Sequence, residues 1–239
     1  MHDLANVTAV ILAGGLGTRL RSVVADRPKV LAEVQGRPFL AFLLDQLAAA
    51  GVRDVVLCTG YRGEQVWAEF GDAYGGLPLA YSQEAEPLGT AGALRWVLPG
   101  LWSDPVLVMN GDSFCKTDLM AFWGWHGEQE ANATLLLTRV PDTQRYGQVH
   151  VDAEGRVLRF AEKDGTGGPG WISAGIYLLS RRLLLMIPAG RAVSLEHEMF
   201  PAWIGQGLYG FRSEGRFLDI GTPEAYRMAG QFFAPEILA

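Results

Sequence analysis

The run from Leu12 to Lys29, LAGGLGTRLRSVVADRPK, sets a glycine turn ahead of two cations, a combination suited to cradling a triphosphate. Gly14, Gly15 and Gly17 have no Cβ, so the backbone can take positive φ there and bring its N–H groups close to a phosphate or a base edge. Arg19 and Lys29 then supply the charge. Taken alone, the glycines are equally what an ordinary βα loop with two solvated cations would carry. Two familiar phosphate loops do not fit. Leu20 stands where a dinucleotide fingerprint needs its third glycine, and no Gly-Lys pair occurs to make a Walker A loop.

Two aspartates carry the second piece of chemistry. Asn110-Gly111-Asp112 follows the apolar run PVLVM. In an open α/β sheet ligands bind outside the carboxyl ends of the strands, so Asp112 is aimed at the same crevice as the glycine turn. A carboxylate there can hold Mg²⁺, which keeps several waters and bridges carboxylates to substrate phosphates, although a Gly-Asp pair also simply forms turns. Phe217 to Pro223 (FLDIGTP) again sets an acid, Asp219, at a strand end, with Thr222 as N-cap and Pro223 at the first helical position. Asp219 has apolar residues on both sides, which an ordinary solvated aspartate does not need.

These pieces together resemble the sugar-1-phosphate nucleotidyltransferase family, whose signature G-G-x-G-T-R-L followed by P-K is matched by Gly14 to Leu20 and by Pro28-Lys29. The segments EPLGTAGAL, RYG, VSLE and DIGTPEAY are most similar to the D-glycero-α-D-manno-heptose 1-phosphate guanylyltransferase group, and the resemblance covers nearly the whole chain. It implies transfer of a nucleotidyl group from a nucleoside triphosphate to a sugar 1-phosphate, with release of pyrophosphate. It also implies a catalytic Mg²⁺ held jointly by Asp112 and Asp219, with Arg19, Lys29 and Asp112 as the catalytic set. Nucleotide contacts fall by resemblance on Leu12, Ala13, Gly14, Gly15, Gly17, Thr18, Gln83, Glu86, Gly89, Thr90 and Gly111. Sugar-phosphate contacts fall on Tyr146, Gly147, Glu162, Lys163, Ser173, Gly175 and Glu196, with Arg145 just before the Tyr-Gly pair. Family members usually have Asn where Ser173 stands, so that contact is shortened here.

Base identity is addressed by chemistry as well as resemblance. Guanine presents adjacent N1–H and N2–H donors that a carboxylate accepts in pairs, whereas uracil and thymine present one N3–H between two carbonyls. Glu84 and Glu86, beside Gln83, precede the Gly89 loop and tilt the reading toward GTP. The implied acceptor is the heptose 1-phosphate. The alternatives are mannose 1-phosphate with GTP, or a uridylyl or thymidylyl transfer to a hexose 1-phosphate. A non-catalytic sugar-nucleotide sensor is the rival from another class. It could lose the cations or the acids, but Arg19, Lys29, Asp112, Lys163 and Asp219 are all present.

The elements that must position these residues alternate. Strands are predicted at Val7 to Leu12, Asp54 to Thr59, Leu77 to Ser82 and Pro105 to Asn110, with helices at Pro38 to Ala50, Gly63 to Phe70 and Thr90 to Val97. The second half is richer in strands: Ala133 to Val140, Gly147 to Val151, Val157 to Glu162 and Ile172 to Leu179. Asp164 to Gly170 (DGTGGPG) reads as a surface loop beside them. Phe122, Trp123 and Trp125 fall on a helix as packing residues, and Glu196 lies in a helix whose apolar face is Leu195, Met199 and Phe200. The expected fold is α/β, a Rossmann-like three-layer sandwich with a mostly parallel central sheet and a mixed-sheet sugar-binding extension. One domain is expected over 1–239, with a nucleotide-binding part over about 1–130 and a sugar-binding part over about 131–239. Some family members carry a C-terminal hexapeptide-repeat β-helix; none is expected after the helix from Pro223 to Phe233.

Composition agrees with this reading. Twenty basic against 26 acidic residues give a formal charge of −6, which argues against nucleic-acid and membrane-surface partners and leaves any anionic substrate to local charge or metal. Cys58 and Cys115 sit in or beside apolar runs, as reduced thiols of a cytoplasmic protein would. The first residues, MHDLANVTAV, lack the build of a signal peptide, and a monomer or homodimer is expected. The four histidines form no metal-ligand spacing, and no Gly-x-Ser-x-Gly elbow occurs.

Overall fold

The apolar run beginning at Val7 becomes β1 (Thr8–Leu12), whose first four residues are buried, as a strand covered on both faces of a parallel sheet requires. The computed structural model describes residues 4–161 and 167–234. A two-residue hairpin, β2 (Glu33–Val34) and β3 (Arg37–Pro38), leads into α1 (Phe39–Ala49). Then β4 (Asp54–Thr59), α2 (Gly63–Phe70), β5 (Ala73–Tyr74), β6 (Leu77–Gln83), α3 (Gly89–Val97) and β7 (Val106–Asn110) follow in the predicted alternation. β4, β6 and β7 run parallel within one sheet, β1 lying between β4 and β7.

Past β7 the pattern changes as expected. β8 (Ser113–Cys115) and α4 (Leu119–Glu128) precede β9 (Ala133–Val140), β10 (Gln148–Val151), β11 (Val157–Ala161) and the long β12 (Gly170–Leu179). β12 runs antiparallel to β7 on one side and to β9 on the other, and its register slips between Ser173 and Tyr177, so its first residues reach β10. α5 (Arg181–Leu185), α6 (Phe200–Ala202), β13 (Leu208–Ser213), β14 (Phe217–Asp219) and α7 (Pro223–Phe232) complete the chain. β13 adds parallel to β9. Side chains of α1, α2, α4 and α7 fill the core on one face of the sheet, and those of α3, α5 and residues 195–203 fill the other, which gives the three layers.

Several pieces were outside the sequence reading: the β2–β3 hairpin, β5, α5, β13, and a ladder in which β14 pairs antiparallel with β8. Strands of two or three residues are too short to establish a period, and in β13 Gly210 interrupts the apolar alternation of LYGFRS. The sequence places Asp219 at a strand end, and so does the fold, but that strand belongs to the small ladder and not to the parallel sheet. A second correction concerns Glu196. It lies in a single π-helical turn, Leu195–Met199, ahead of α6, and not in a regular helix. Its neighbours Leu195, Met199 and Phe200 are core, as expected.

The local signals for α7 hold: Thr222 Oγ1 accepts from Ala225 N, and Pro223 takes the first helical position. Phe122 and Trp125 pack on Phe211, as core residues do. Both cysteines are free and buried, and burial pushes their thiols up to about 12 for Cys58 and about 11 for Cys115, so neither is a nucleophile at neutral pH.

His126, buried on α4 with its Nδ1 2.7 Å from Thr134 Oγ1, yields a prediction about stability. Burial lowers its pKa from 6.5 to about 4. The unfolded chain therefore takes up a proton over that interval that the folded chain refuses. Stability is full above about pH 6.5 and falls as pH drops through 4, by roughly 3 kcal/mol. In denaturant titrations across this range, His126→Gln should show a shallower loss of stability than the wild type. Equal slopes would refute the assignment.

Candidate functional site

The carboxyl ends of β1, β4 and β7 are stitched together by backbone. Gly111 N donates to Leu12 O at 3.0 Å and Ala13 N to Cys58 O at 2.8 Å. A Cβ on Gly111 would stand 2.8 Å from Leu12 O, so glycine is what allows this approach. This join brings Leu12 and Asn110 to the wall of a cavity of about 780 Å³, which Ala13 and Gly111 themselves do not line.

One end of the cavity is lined by Leu12, Gly14, Gly15, Arg19, Glu84, Gly89 and Thr90. Glu84 Oε2 accepts from Leu88 N at 2.8 Å, and its other oxygen lies 2.6 Å from where a Cβ on Gly14 would be, so any side chain at Gly14 would evict the acid. Burial raises the Glu84 carboxyl pKa and the Leu88 N–H bond opposes it. Gly89 has φ +69°, and its missing Cβ leaves room for Val193 O. Thr90 Oγ1 accepts from Leu195 N at 2.8 Å, which ties this end of the cavity to the turn bearing Glu196. Gln83 and Glu86 are exposed, and neither they nor Gly17 and Thr18 line the cavity.

The other end takes in Tyr146, Gly147, Ser173, Gly175 and Glu196. The buried Tyr177 hydroxyl gathers three groups from this side: Asn110 Nδ2 at 3.4 Å, Ser173 Oγ at 3.3 Å and Glu196 Oε1 at 3.4 Å. Gly175 sits at φ +77° in the slipped stretch of β12, against Ser113 and Asn110. Glu162 and Lys163 lie outside the described residues, as does part of the Asp164 to Gly170 loop. Asn110, Arg145 and His197 also line the cavity and had not been singled out as contacts. Asn110 and Arg145 adjoin motifs that were recognised; an isolated His197 offers no sequence signal.

Between the two ends stand the aspartates. The β8–β14 ladder pairs Asp219 with Ser113, and Ile220 N donates to Asp112 O at 3.0 Å, so the two acids meet although they are far apart in sequence. Lys29 Nζ donates to Asp112 Oδ2 at 2.7 Å and lies 4.0 Å from Asp219 Oδ1, and Arg145 Nη2 is 3.9 Å from Asp219 Oδ2. Burial first, and the charge of Asp112 second, hold the Asp219 carboxyl pKa above the ordinary aspartate range. Among the described residues no group of three or more His, Cys, Asp or Glu side chains converges as a protein-only metal cage. Two carboxylates lining the middle of the cavity suit instead a hard cation that completes its shell with water and substrate phosphates.

The sequence profile of the family described as "Nucleotidyl transferase" matches residues 8–236. The chain is 41% identical over 224 residues to the mannose-1-phosphate guanylyltransferase of Mycobacterium tuberculosis, covering 92% of this chain but only 62% of that protein. It is 36% identical to the D-glycero-alpha-D-manno-heptose 1-phosphate guanylyltransferase of Aneurinibacillus thermoaerophilus, across 92% of this chain and 96% of that one. Among solved structures, HddC from Yersinia pseudotuberculosis complexed with GMP-PN superposes with a TM-score of 0.82 at 31% identity, covering 95% of this chain and 99% of that chain.

Proposed function

We propose, since the chain belongs to the nucleotidyl transferase family, that it is a sugar-1-phosphate guanylyltransferase, joining GTP to D-glycero-α-D-manno-heptose 1-phosphate with loss of pyrophosphate. The observation that carries the reading is the convergence of the glycine turn, Glu84 and the Asp112–Asp219 pair on one cavity. The heptose relative and the HddC neighbour, matched over nearly their full lengths, favour the heptose acceptor, while the Mycobacterium relative supports mannose 1-phosphate as the second reading. In this assignment about 1–130 holds the nucleotide and about 131–239 the sugar, within a single domain.

The reaction is one in-line displacement at the α-phosphorus. A phosphate oxygen of the sugar 1-phosphate attacks, and the bond to the pyrophosphate oxygen breaks. The nucleophile is already an anion at neutral pH, so no general base is required, and catalysis reduces to positioning and neutralisation of charge. The Gly14–Gly15 backbone receives the phosphates, Arg19 neutralises the leaving pyrophosphate, and Lys29 serves the α-phosphate region. Gly147, Ser173, Glu196 and, by family position, Glu162 and Lys163 orient the sugar phosphate. Asp112 and Asp219 would hold Mg²⁺, which supplies charge neutralisation across both substrates when bound.

The direct test is pyrophosphate release from purified protein with Mg²⁺, GTP and either sugar 1-phosphate. Release with the heptose 1-phosphate at higher kcat/KM than with mannose 1-phosphate is the expected result. Release with mannose 1-phosphate alone would replace the acceptor. No release with any triphosphate across a broad sugar panel would make the protein a sensor. Among the described residues no helix is long and apolar enough to cross a membrane.

A further inference from the structure

Lys29 fills the place between the carboxylates that another cation would take. Its side chain is only 10% exposed, its Nζ is bonded to Asp112 Oδ2 at 2.7 Å, and Asp219 Oδ1 lies 4.0 Å away. The space is made for it: a Cβ on Gly221 would stand 3.2 Å from Nζ and 2.7 Å from Asp219 Oδ1. The backbone of Lys29 is fixed, because Leu31 N donates to Pro28 O at 2.9 Å and Ala32 N to Lys29 O at 3.0 Å. Movement is therefore left to the side chain. With Arg145 on the far oxygen of Asp219, two carboxylates face two cations, and the local charge sums to zero.

A divalent cation arriving alone meets a neutral site with an ammonium at its centre, and like charges at such range repel strongly in a half-buried setting. A triphosphate changes both conditions. It brings negative charge, and it offers Lys29 a new partner on the phosphate side of the cavity. We propose that Lys29 is a built-in competitor of the divalent cation: its ammonium holds the Asp112–Asp219 pair in the substrate-free protein and yields the pair only when the cation enters together with a triphosphate. This rests on reading the two aspartates as the metal site. The order of assembly then follows from electrostatics, and the free protein is guarded against stray metal.

The experiment is Mn²⁺ binding by the full chain, with and without a nonhydrolysable GTP analogue, read as the loss of the free-ion EPR signal beyond that caused by the analogue alone. The wild type should bind Mn²⁺ weakly alone and on the order of tenfold or more tightly with the analogue present. Lys29→Met, which keeps the stem and removes the charge, should bind Mn²⁺ alone about tenfold more tightly than the wild type. Asp219→Asn should lose the tight site in either background. Unchanged or weaker Mn²⁺ binding by Lys29→Met, while the wild type still binds with the analogue, overturns the competition and leaves the metal reading standing. Failure of the wild type to bind Mn²⁺ even with the analogue overturns both. Should Lys29→Met prove unstable, the rise in unfolding temperature from EDTA to Mn²⁺ gives the same answer: it must exceed that of the wild type, and an equal rise refutes the proposal.

Discussion

Asp112→Asn and Asp219→Asn are each expected to lower kcat about a hundred-fold or more, with the double variant little worse than either single one. On the proposed reading the two side chains act on one ion, so removing the first already abolishes most of what the second contributes, and strong non-additivity is the signature. At Asp219 stability should move the other way. Asp219 is held above its ordinary pKa by burial and by the charge of Asp112, so an amide there relieves an unfavourable charge and can still accept the 2.6 Å bond from Gly221 N. The unfolding temperature of Asp219→Asn should therefore hold or rise as its activity collapses, whereas Asp112→Asn takes from the nearly buried Lys29 ammonium its 2.7 Å partner and should lose some stability. Mild, additive losses of kcat, or parallel losses of activity and stability in Asp219→Asn, would refute the shared-ion assignment.

The second large effect concerns the base. Glu84 is the acid that the fold sets into the cavity wall, against Gly14 and braced by Leu88 N, whereas Glu86 and Gln83 face solvent. If Glu84 accepts the paired donors of guanine, a pyrimidine in its place leaves a half-buried charge facing a carbonyl. A site built around such hydrogen bonds rejects mismatched ligands by a factor of about a thousand or more. GTP should therefore exceed UTP and dTTP in kcat/KM by about that factor, and Glu84→Gln should erode the preference at least tenfold while Glu86→Gln leaves it unchanged. A wild-type preference for dTTP or UTP would remove both the carboxylate argument and the guanylyl assignment, although nucleotidyl transfer would survive.

Much of the fold was legible because its signals are local. VTAVIL and DVVLCT are apolar runs of strand length, and Thr222-Pro223 marks a helix start, so these elements fall within a residue or two of their predicted bounds. The glycine turn was legible for the same reason, since its residue identities are dense in sequence. What stayed hidden depends on distance along the chain. The bond from Lys29 to Asp112 spans 83 positions, and nothing near Lys29 signals it; read as sequence, that ammonium is only a charge for a triphosphate. Glu84 and Glu86 are equivalent as text, and only the path from β6 into α3 turns one inward. The π-helical turn at Glu196 shares its apolar spacing with an ordinary helix, so periodicity could not separate the two.

The β8–β14 ladder has a consequence for the timing of synthesis. Its first strand follows β7 directly, but its second is made only after β13, and it alone delivers Asp219. Chains elongate from the N-terminus, so the glycine turn, Glu84 and Asp112 emerge long before their counterpart. A nascent chain or a fragment cut ahead of Phe217 thus carries half of the carboxylate pair and cannot assemble the rest from its own sequence. The carboxylate pair is completed only with the closing of a three-residue ladder.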